Sequence, residues 1–437
     1  MALRDAAQDL RDCFAAALVA ADPAKAVRDG LSAREVALEL GRDRPHWIIA
    51  IGKAAAAMAA AALSHCDRHQ RTVAGGLVVA TAVPTGDGAD GRLDWLVGDH
   101  PVPGVRSAQA AERLGALSDR VGRQDVVLLL LSGGTSSLIG APIDGVRAED
   151  LAALHAVLLG AGVPIARINA VRKRFSRWGA GRLAAALDCW QIIPIMLADV
   201  PNEDPAMIGS GPVSPDPLEA WHVERILRDA GIAVRVPLSV ASTLGAMRAG
   251  VLPETPKPGD PAFTRVEEPF VVGNTAALER AAAEAHARGY APVLLSRTSL
   301  TGDATAAGRV LAHTLSRATP GTCLVWGGET TVRLPERHGL GGRCQQLALA
   351  AAEALHDIGA ADAWLLAAGS DGRDGPAPAA GALVNSETWR QSADAGGNPL
   401  RALRDCDAFG ALRDADALLP ASETGTNVMD IVVAVRA

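Results

Sequence analysis

The stretch VVLLLLSGGTSSLIGAP at residues 126–142 runs six apolar residues straight into a loop of small and hydroxyl-bearing side chains. A strand with one face in water alternates apolar and polar positions. A strand with no polar position must be covered on both faces, as in a parallel sheet held between helices. The pattern recurs in HWIIAIG, AGGLVVAT and IIPIMLADV, and Ala/Leu/Arg-rich stretches such as SAQAAERLGALSDRV and EDLAALHAVLLGAG lie between these runs. Such alternation predicts an α/β fold, with a three-layer α/β/α N-terminal domain built on a mostly parallel sheet. The segment MRAGVLPETPKPGDPAFTRVEEPFV at 247–271 carries five prolines and no helical period, as a linker or crossover would. Beyond it FVVGNTAALERAAAEAHARGYAPVLLS, TCLVWGGETTVRL and AWLLAAGSDGRDGP resume the alternation. The chain therefore reads as an N-terminal α/β domain over 1–243, a crossover over 244–263 and a smaller C-terminal α/β domain over 264–437. Polar strand-end loops of both are expected to face a cleft that holds the active site.

A chain of 437 residues that is 49% hydrophobic can bury the cores of two domains. The opening MALRDAAQDLRDCF is charged throughout where a secretory signal would be basic and then apolar, and no apolar run reaches the ~18 residues of a membrane span. A cytoplasmic protein with no membrane partner is expected. The formal charge of -7 and 3% aromatic content supply neither a basic stripe nor a stacking platform, which argues against a nucleic-acid partner. The six cysteines, at 13, 66, 189, 323, 344 and 406, form no Cys-x-x-Cys pair and read as buried reduced thiols.

Of the 42 basic residues only Lys25, Lys53, Lys173 and Lys257 are lysine. Lysine is a compact point charge and arginine a planar fork, so a site shaped around an ammonium cannot take the exchange. Lys53 lies in WIIAIGKAAAAMAAAAL, between an apolar strand and an Ala-rich helix, where a helix N-terminus already favours an anion. The loop Ser132, Gly133, Gly134, Thr135, Ser136, Ser137 offers bare backbone and hydroxyls to phosphate or carboxylate oxygens; an N-capping turn would look the same. INAVRKRFSRWGAGRLA gathers Arg172, Lys173, Arg174, Arg177 and Arg182, either a solvated helix face or an anion clamp. LADVPNEDPAMIGSGPVSPDP puts Asp199 at a strand end, followed by Asp204 and the small turn holding Ser210 and Gly211. A carboxylate there can hold Mg²⁺ or accept a substrate proton. Glu329 and Thr330 follow two glycines, Arg343 leaves a glycine loop, and Asp371 and Asp374 lie between glycines.

Familiar cofactor fingerprints fail. GDGADG at 86–91 carries two acidic residues and leads into RLDWLVGDH, which is no helix. GAGRLA at 179–184 follows a basic helical stretch where a dinucleotide fingerprint needs a strand. No G-x-x-x-x-G-K-[ST], G-x-S-x-G or H-E-x-x-H occurs, so the chemistry must lie in the dispersed set.

Taken in order, IGKAAAAM, GDHPVPG, LSGGTSSLIGAP, INAVRKRFS, LADVPNEDPAMIGSGPVSPDP, ETPKPGDP, GGETTV, GLGGRCQQLAL, SDGRDGPAPAAGA and TGTNVMD span nearly the whole chain. The set resembles the bacterial glycerate 2-kinase family, whose C-terminal part is the MOFRL domain and whose members are often labelled hydroxypyruvate reductases. The resemblance implies a Rossmann-like N-terminal domain, a MOFRL-type C-terminal domain and ATP-dependent phosphorylation of D-glycerate at its 2-hydroxyl, with Mg²⁺. It implies catalytic roles for Lys53, Arg343 and Asp199 and metal contacts for Asp199 and Asp371. Substrate or phosphate contacts fall to the 132–137 loop, Arg172, Lys173, Ser210, Gly211, Glu329, Thr330 and Asn427. A homo-oligomer is compatible with it. This chain departs from the family pattern at Thr135 and Ser136, at Gly179-Ala180-Gly181, at Cys344 and at Asn202-Glu203. The alternative activity is an NAD(P)H-dependent reduction of hydroxypyruvate or tartronate semialdehyde, against which the missing fingerprints weigh.

Overall fold

The computed structural model describes residues 5–84 and 89–437; the first half of the GDGADG stretch lies outside them, while Asp90 within it pairs with Arg92 at 2.8 Å. The first six strands are β1 (His46–Ile51), β2 (Val73–Ala80), β3 (Asp94–Val97), β4 (Val126–Leu131), β5 (Gln191–Leu197) and β6 (Phe270–Val272). They form one sheet in the order β3-β2-β1-β4-β5-β6. Strand β1 runs parallel to β2 and β4, β2 to β3, and β4 to β5. Every residue of β1 and β4 is buried, as their unbroken apolar sequences require of strands covered on both faces.

That order has a consequence for function. The chain starts in mid-sheet, builds outward to β3, then returns to lay β4 on the other side of β1, so the order reverses between β1 and β4. In doubly wound sheets ligands bind outside the carboxyl ends of the strands at such a reversal. The helices that follow β4, among them Ala148–Gly160, Ile165–Arg174, Ala220–Asp229 and Leu238–Arg248, bury a core of their own around Leu154, Leu158, Ile168, Phe175 and Leu244.

The second sheet is mixed. Its strands are β7 (Val293–Leu295), β8 (Cys323–Gly328), β9 (Ala363–Gly369), β10 (Ala379–Asn385), β11 (Leu418–Pro420) and β12 (Asp430–Arg436), in the order β11-β10-β9-β12-β8-β7. Only β7 and β8 pair in parallel; β12 lies antiparallel to both β8 and β9, and β10 to both β9 and β11. The helix Arg343–Ile358 carries much of the core packed on this sheet, through Leu347, Ala348, Ala351 and Leu355.

Contacts divide the chain into one unit of residues 23–198 with 203–271, and a second of residues up to Asp22 with 199–202 and 272–437. The sequence reading placed the whole N-terminus in the first domain. The difference has a specific cause: in the helix Ala6–Ala20, Asp9 accepts hydrogen bonds from Tyr290 Oη at 2.9 Å and Arg288 Nη1 at 2.8 Å, and Thr426 Oγ1 donates to Ala21 O at 2.6 Å. The proline-rich segment is likewise fastened within the first unit, where Thr255 Oγ1 donates to the buried Asp216 at 3.0 Å. All six cysteines are unpaired and buried. Among the described residues no helix is long and apolar enough to cross a membrane.

Candidate active site

In the first unit the loops leaving β1 and β4 are stitched together. Ser132 N donates to Ile51 O at 3.0 Å, Lys53 N to Gly133 O at 2.9 Å, and Ala54 N to Ser132 Oγ at 3.1 Å. Thr135 Oγ1 reaches Ile51 O at 2.8 Å. The hydroxyls of Ser132 and Thr135, which the sequence offered as ligand contacts, are therefore buried and engaged with the main chain. They brace the loop. Lys53 is exposed and precedes the helix Ala55–Arg68 by two residues. A β-carbon built on Gly134 would lie 3.5 Å from Lys53 Cγ and 3.1 Å from the His100 ring, so the lysine, the bare backbone and this histidine share one corner. Burial, with the Lys53 charge second, lowers the His100 pKa.

Ser136 and Ser137 turn outward. Ser137 Oγ donates to Pro101 O at 2.7 Å, while Ser136 Oγ meets Ser210 Oγ at 2.9 Å. Ser210 sits in a run of three left-handed residues, Gly209, Ser210 and Gly211, with φ of 60°, 67° and 64°, a conformation that costs a non-glycine residue and marks functional loops. Ser136 and Ser210 line a cavity of about 210 Å³ with Asn169, Arg172, Lys173 and Asp204. Lys173 Nζ stands 3.1 Å from Asp216 Oδ1, and Arg174 lies 3.6 Å from the other Asp216 oxygen. Arg174 is fully buried and also pairs with Glu254. Of the five clustered cations only Arg172 and Lys173 line this cavity; Arg177 lies over the Trp178 ring at 5.4 Å and Arg182 donates to Ser176 O at 3.2 Å.

The second unit holds a separate set. Strand pairing sets Asp430 opposite Gly328, with Glu329 following directly, and Arg343 opens the helix Arg343–Ile358. Arg343 binds Asp430 through Nε at 2.6 Å and Nη2 at 2.9 Å and meets Glu329 through Nη1 at 2.9 Å. Burial pushes the Asp430 carboxyl up to about 6, against the opposing pull of Arg343. Asp374, buried beside it, accepts from Cys344 N at 3.1 Å and Gln345 N at 2.8 Å, satisfying the free donors at that helix start. Asn427 Oδ1 accepts from Met429 N at 3.2 Å, Thr330 is buried, and Asp371 Oδ1 accepts from Arg373 N at 3.0 Å. Asp199 falls in the short segment that the contacts assign to this unit. Among the described residues no group of three or more His, Cys, Asp or Glu side chains is placed to hold a metal ion.

Sequence reasoning did not single out His100, Asn169, Asp216 or Asp430. Each lies in a quoted motif, yet nothing in local spacing tells a partner of a functional side chain from an ordinary turn residue. Asp216 is the most constrained of them, since its removal strands Lys173 and Arg174 with less compensation. Asp216→Ala is expected to cost about 3–5 kcal/mol in stability, the usual penalty for breaking a buried ion pair from one side. Urea unfolding measures it, and a loss under about 1 kcal/mol would mean that the two cations find other partners.

The chain matches the model of a domain of unknown function, DUF4147, over residues 9–245 and that of the MOFRL family over 322–430. It is 32% identical to the D-glycerate 2-kinase of Thermotoga maritima, covering 94% of each chain. A relative from Agrobacterium vitis, 36% identical over 98% of this chain and 93% of its own, carries a provisional hydroxypyruvate reductase label. The crystal structure of a glycerate kinase from Thermotoga maritima superposes with a TM-score of 0.84 at 31% identity, covering 99% of both chains. With the two models matched in turn along the chain, and relatives in both sequence and structure that align over nearly its whole length, the chain belongs to the DUF4147/MOFRL glycerate 2-kinase family.

Proposed function

We propose that this protein transfers the γ-phosphoryl group of ATP to the 2-hydroxyl of D-glycerate in the cytoplasm, giving 2-phospho-D-glycerate. The observation that carries the reading is a cavity of about 210 Å³ lined by Arg172, Lys173, Ser136 and Ser210 in a chain similar end to end to a D-glycerate 2-kinase. Glycerate is a small acid with two hydroxyls. Its carboxylate suits the paired cations, and its hydroxyls suit the two serines. Phosphoryl transfer needs positioning and positive charge more than covalent chemistry. Lys53, exposed beside the Gly133–Gly134 backbone, is suited to phosphoryl oxygens. Arg343, oriented by Asp430, is the second cation, and Asp199 is assigned to orient or deprotonate the 2-hydroxyl.

Kinases of this kind use Mg²⁺, which typically takes one or two protein carboxylates and fills its other positions with phosphate oxygens and water. Asp371, one oxygen of which accepts from Arg373 N, supplies a carboxylate of the kind that demand calls for, and Asp199 is assigned the same role. Bound there, the ion would neutralise charge on the β- and γ-phosphates.

Incubation with ATP, Mg²⁺ and D-glycerate is expected to yield a product that enolase consumes directly. A product that first needs a mutase would overturn the regiochemistry, and hydroxypyruvate-dependent oxidation of NAD(P)H without phosphoryl transfer would replace the reading with the reductase.

Lys53→Arg keeps the charge and moves it. A loss of about 10²-fold in kcat is expected, the typical effect of removing one preorganised electrostatic contact. Lys25→Arg, at a surface pair with Asp29, is the silent control. Turnover of Lys53→Arg within about threefold of the parent, under about 1 kcal/mol, would remove Lys53 from the catalytic set.

Asp430 makes activity depend on pH. Its folded-state pKa of about 6 means that the carboxylate, and with it the ionic hold on Arg343, is present above that value and lost as pH falls through it. The acid limb of the kcat profile is expected to bend near pH 6. Asp430→Asn, frozen as the uncharged form, should lower kcat at pH 7 by about tenfold and flatten that limb. An unchanged acid limb in the variant would assign the titration elsewhere.

A further inference from the structure

A second cavity of about 370 Å³ opens beside the cationic one and shares Ser136, Arg172 and Ser210 with it. Away from that common end it is apolar, with Val102 and Pro103 on one side and Leu151, Ala152 and Ala156 of the helix Ala148–Gly160 on the other. A surface helix ordinarily turns polar residues to solvent, yet this one exposes Ala152, Ala156 and Leu159 along the groove. The walls come from segments that follow β3 and β4, on the carboxyl edge of the sheet where nucleotides bind in doubly wound folds. The volume lies within the range of about 300–1,000 Å³ usual for small-molecule sites.

Polar groups at the groove are few. His155 lines it, and burial, with the Arg172 charge, lowers its pKa, so at neutral pH its ring offers one donor and one acceptor. The helix Val105–Ser118 begins nearby, but its first amides already donate to Asp99, at 2.9 Å from Arg106 N and 3.2 Å from Ser107 N. Negative charge on an occupant is therefore best received at the Arg172 end. A ligand matching this groove has a flat, largely apolar body with a few hydrogen-bonding edges, joined to an anionic tail.

We propose that this groove holds the nucleoside of ATP, with the base between Pro103 and the Ala152/Ala156 face and the polyphosphate running over Ser136 and Ser210 toward Arg172. The cationic cavity is thereby left to the acid substrate, and the two substrates meet at the residues that the cavities share. The assignment rests on the kinase reading above and adds to it which space takes which substrate.

Photolabelling of the wild-type protein with 8-azido-ATP and Mg²⁺ tests it without any substitution. Label is expected in residues 102–108 or 148–159 and should be suppressed by excess ATP; label confined to other segments overturns the proposal. Ala152→Phe and Ala156→Phe, at exposed helical positions, fill the groove. They are expected to raise the KM for ATP by about tenfold or more while the KM for glycerate stays within about twofold. A rise for glycerate instead, or no change in either, counts against the proposal, and labelling of the wild type still decides if a variant misfolds. Should the wild type label in the groove yet make no phosphoglycerate, the acceptor assignment fails and the nucleotide site stands. A medium-chain fatty acid that competes with ATP for the groove, with no label from azido-ATP, would identify it as an acyl site and overturn the nucleoside.

Discussion

The close approach of Gly52 to Ser132 fixes the geometry on which the first unit's site depends. A β-carbon at Gly52 would stand 2.0 Å from Ser132 Oγ and 2.7 Å from its carbonyl oxygen, at a φ of 136° that disfavours any other residue. No side chain can enter there. Because β1 and β4 are neighbours only by virtue of the reversal in strand order, this contact joins two loops that are distant in sequence. Lys53 follows on one side of it and the Gly133–Ser137 loop on the other, so the placement of the lysine, the bare backbone and the outward serines follows from one steric constraint. The same economy appears at Gly209, where a β-carbon would meet Thr135 Cγ2 at 2.7 Å, and at Gly211, where it would meet Ala206 O at 2.8 Å. Ser210 lies between them with a φ of 67°. It bears the left-handed strain, and its hydroxyl is thereby set against Ser136.

The rarity of lysine in the chain becomes intelligible in these surroundings. Lys173 and Lys257 belong to a partly buried network with Asp216 and Glu254, where the broad fork of arginine would demand more donors' worth of acceptors than the site contains. Lys53 has no carboxylate partner among the described residues and stands as an exposed point charge at the strand reversal. Lys25 makes an ordinary surface pair. Scarcity marks all four lysines alike, and only their surroundings separate Lys173 and Lys257, held among partly buried carboxylates, from Lys25 at the surface and Lys53 beside the glycine loop.

What could be read from sequence was local. Unbroken apolar runs, small-residue loops and Ala-rich helices depend on neighbours within a few positions, and they located the strands β1, β2, β4 and β5 and the loops at their ends. The partners that orient the functional side chains are not local. Asp430 lies 87 positions from Arg343, and Asp9 lies 281 from Tyr290, so no periodicity links them and the first helix could not be assigned to the C-terminal sheet. Hydroxyls were misleading for a related reason. Ser132 and Ser136 are chemically alike and four residues apart, yet one braces a crowded strand junction and the other faces a cavity, a difference set by the closeness of β1.

The two units handle charge in opposite ways. In the first, Lys53 and Arg172 have no carboxylate partner among the described residues, so they retain their attraction for an arriving anion, and burial makes Arg172 costly to keep charged until one arrives. In the second, Arg343 is bound by Asp430 and Glu329, with buried Asp374 nearby, and the carboxylates outnumber the cation. Such a group attracts a distant phosphate weakly, because its field is largely cancelled. Its orientation, however, is fixed in advance, which is the condition under which a charge would contribute most to the proposed phosphoryl transfer. The raised Asp430 pKa reflects what that preorganisation costs: a carboxylate kept ionised in a buried site, stabilised chiefly by the guanidinium it holds in place.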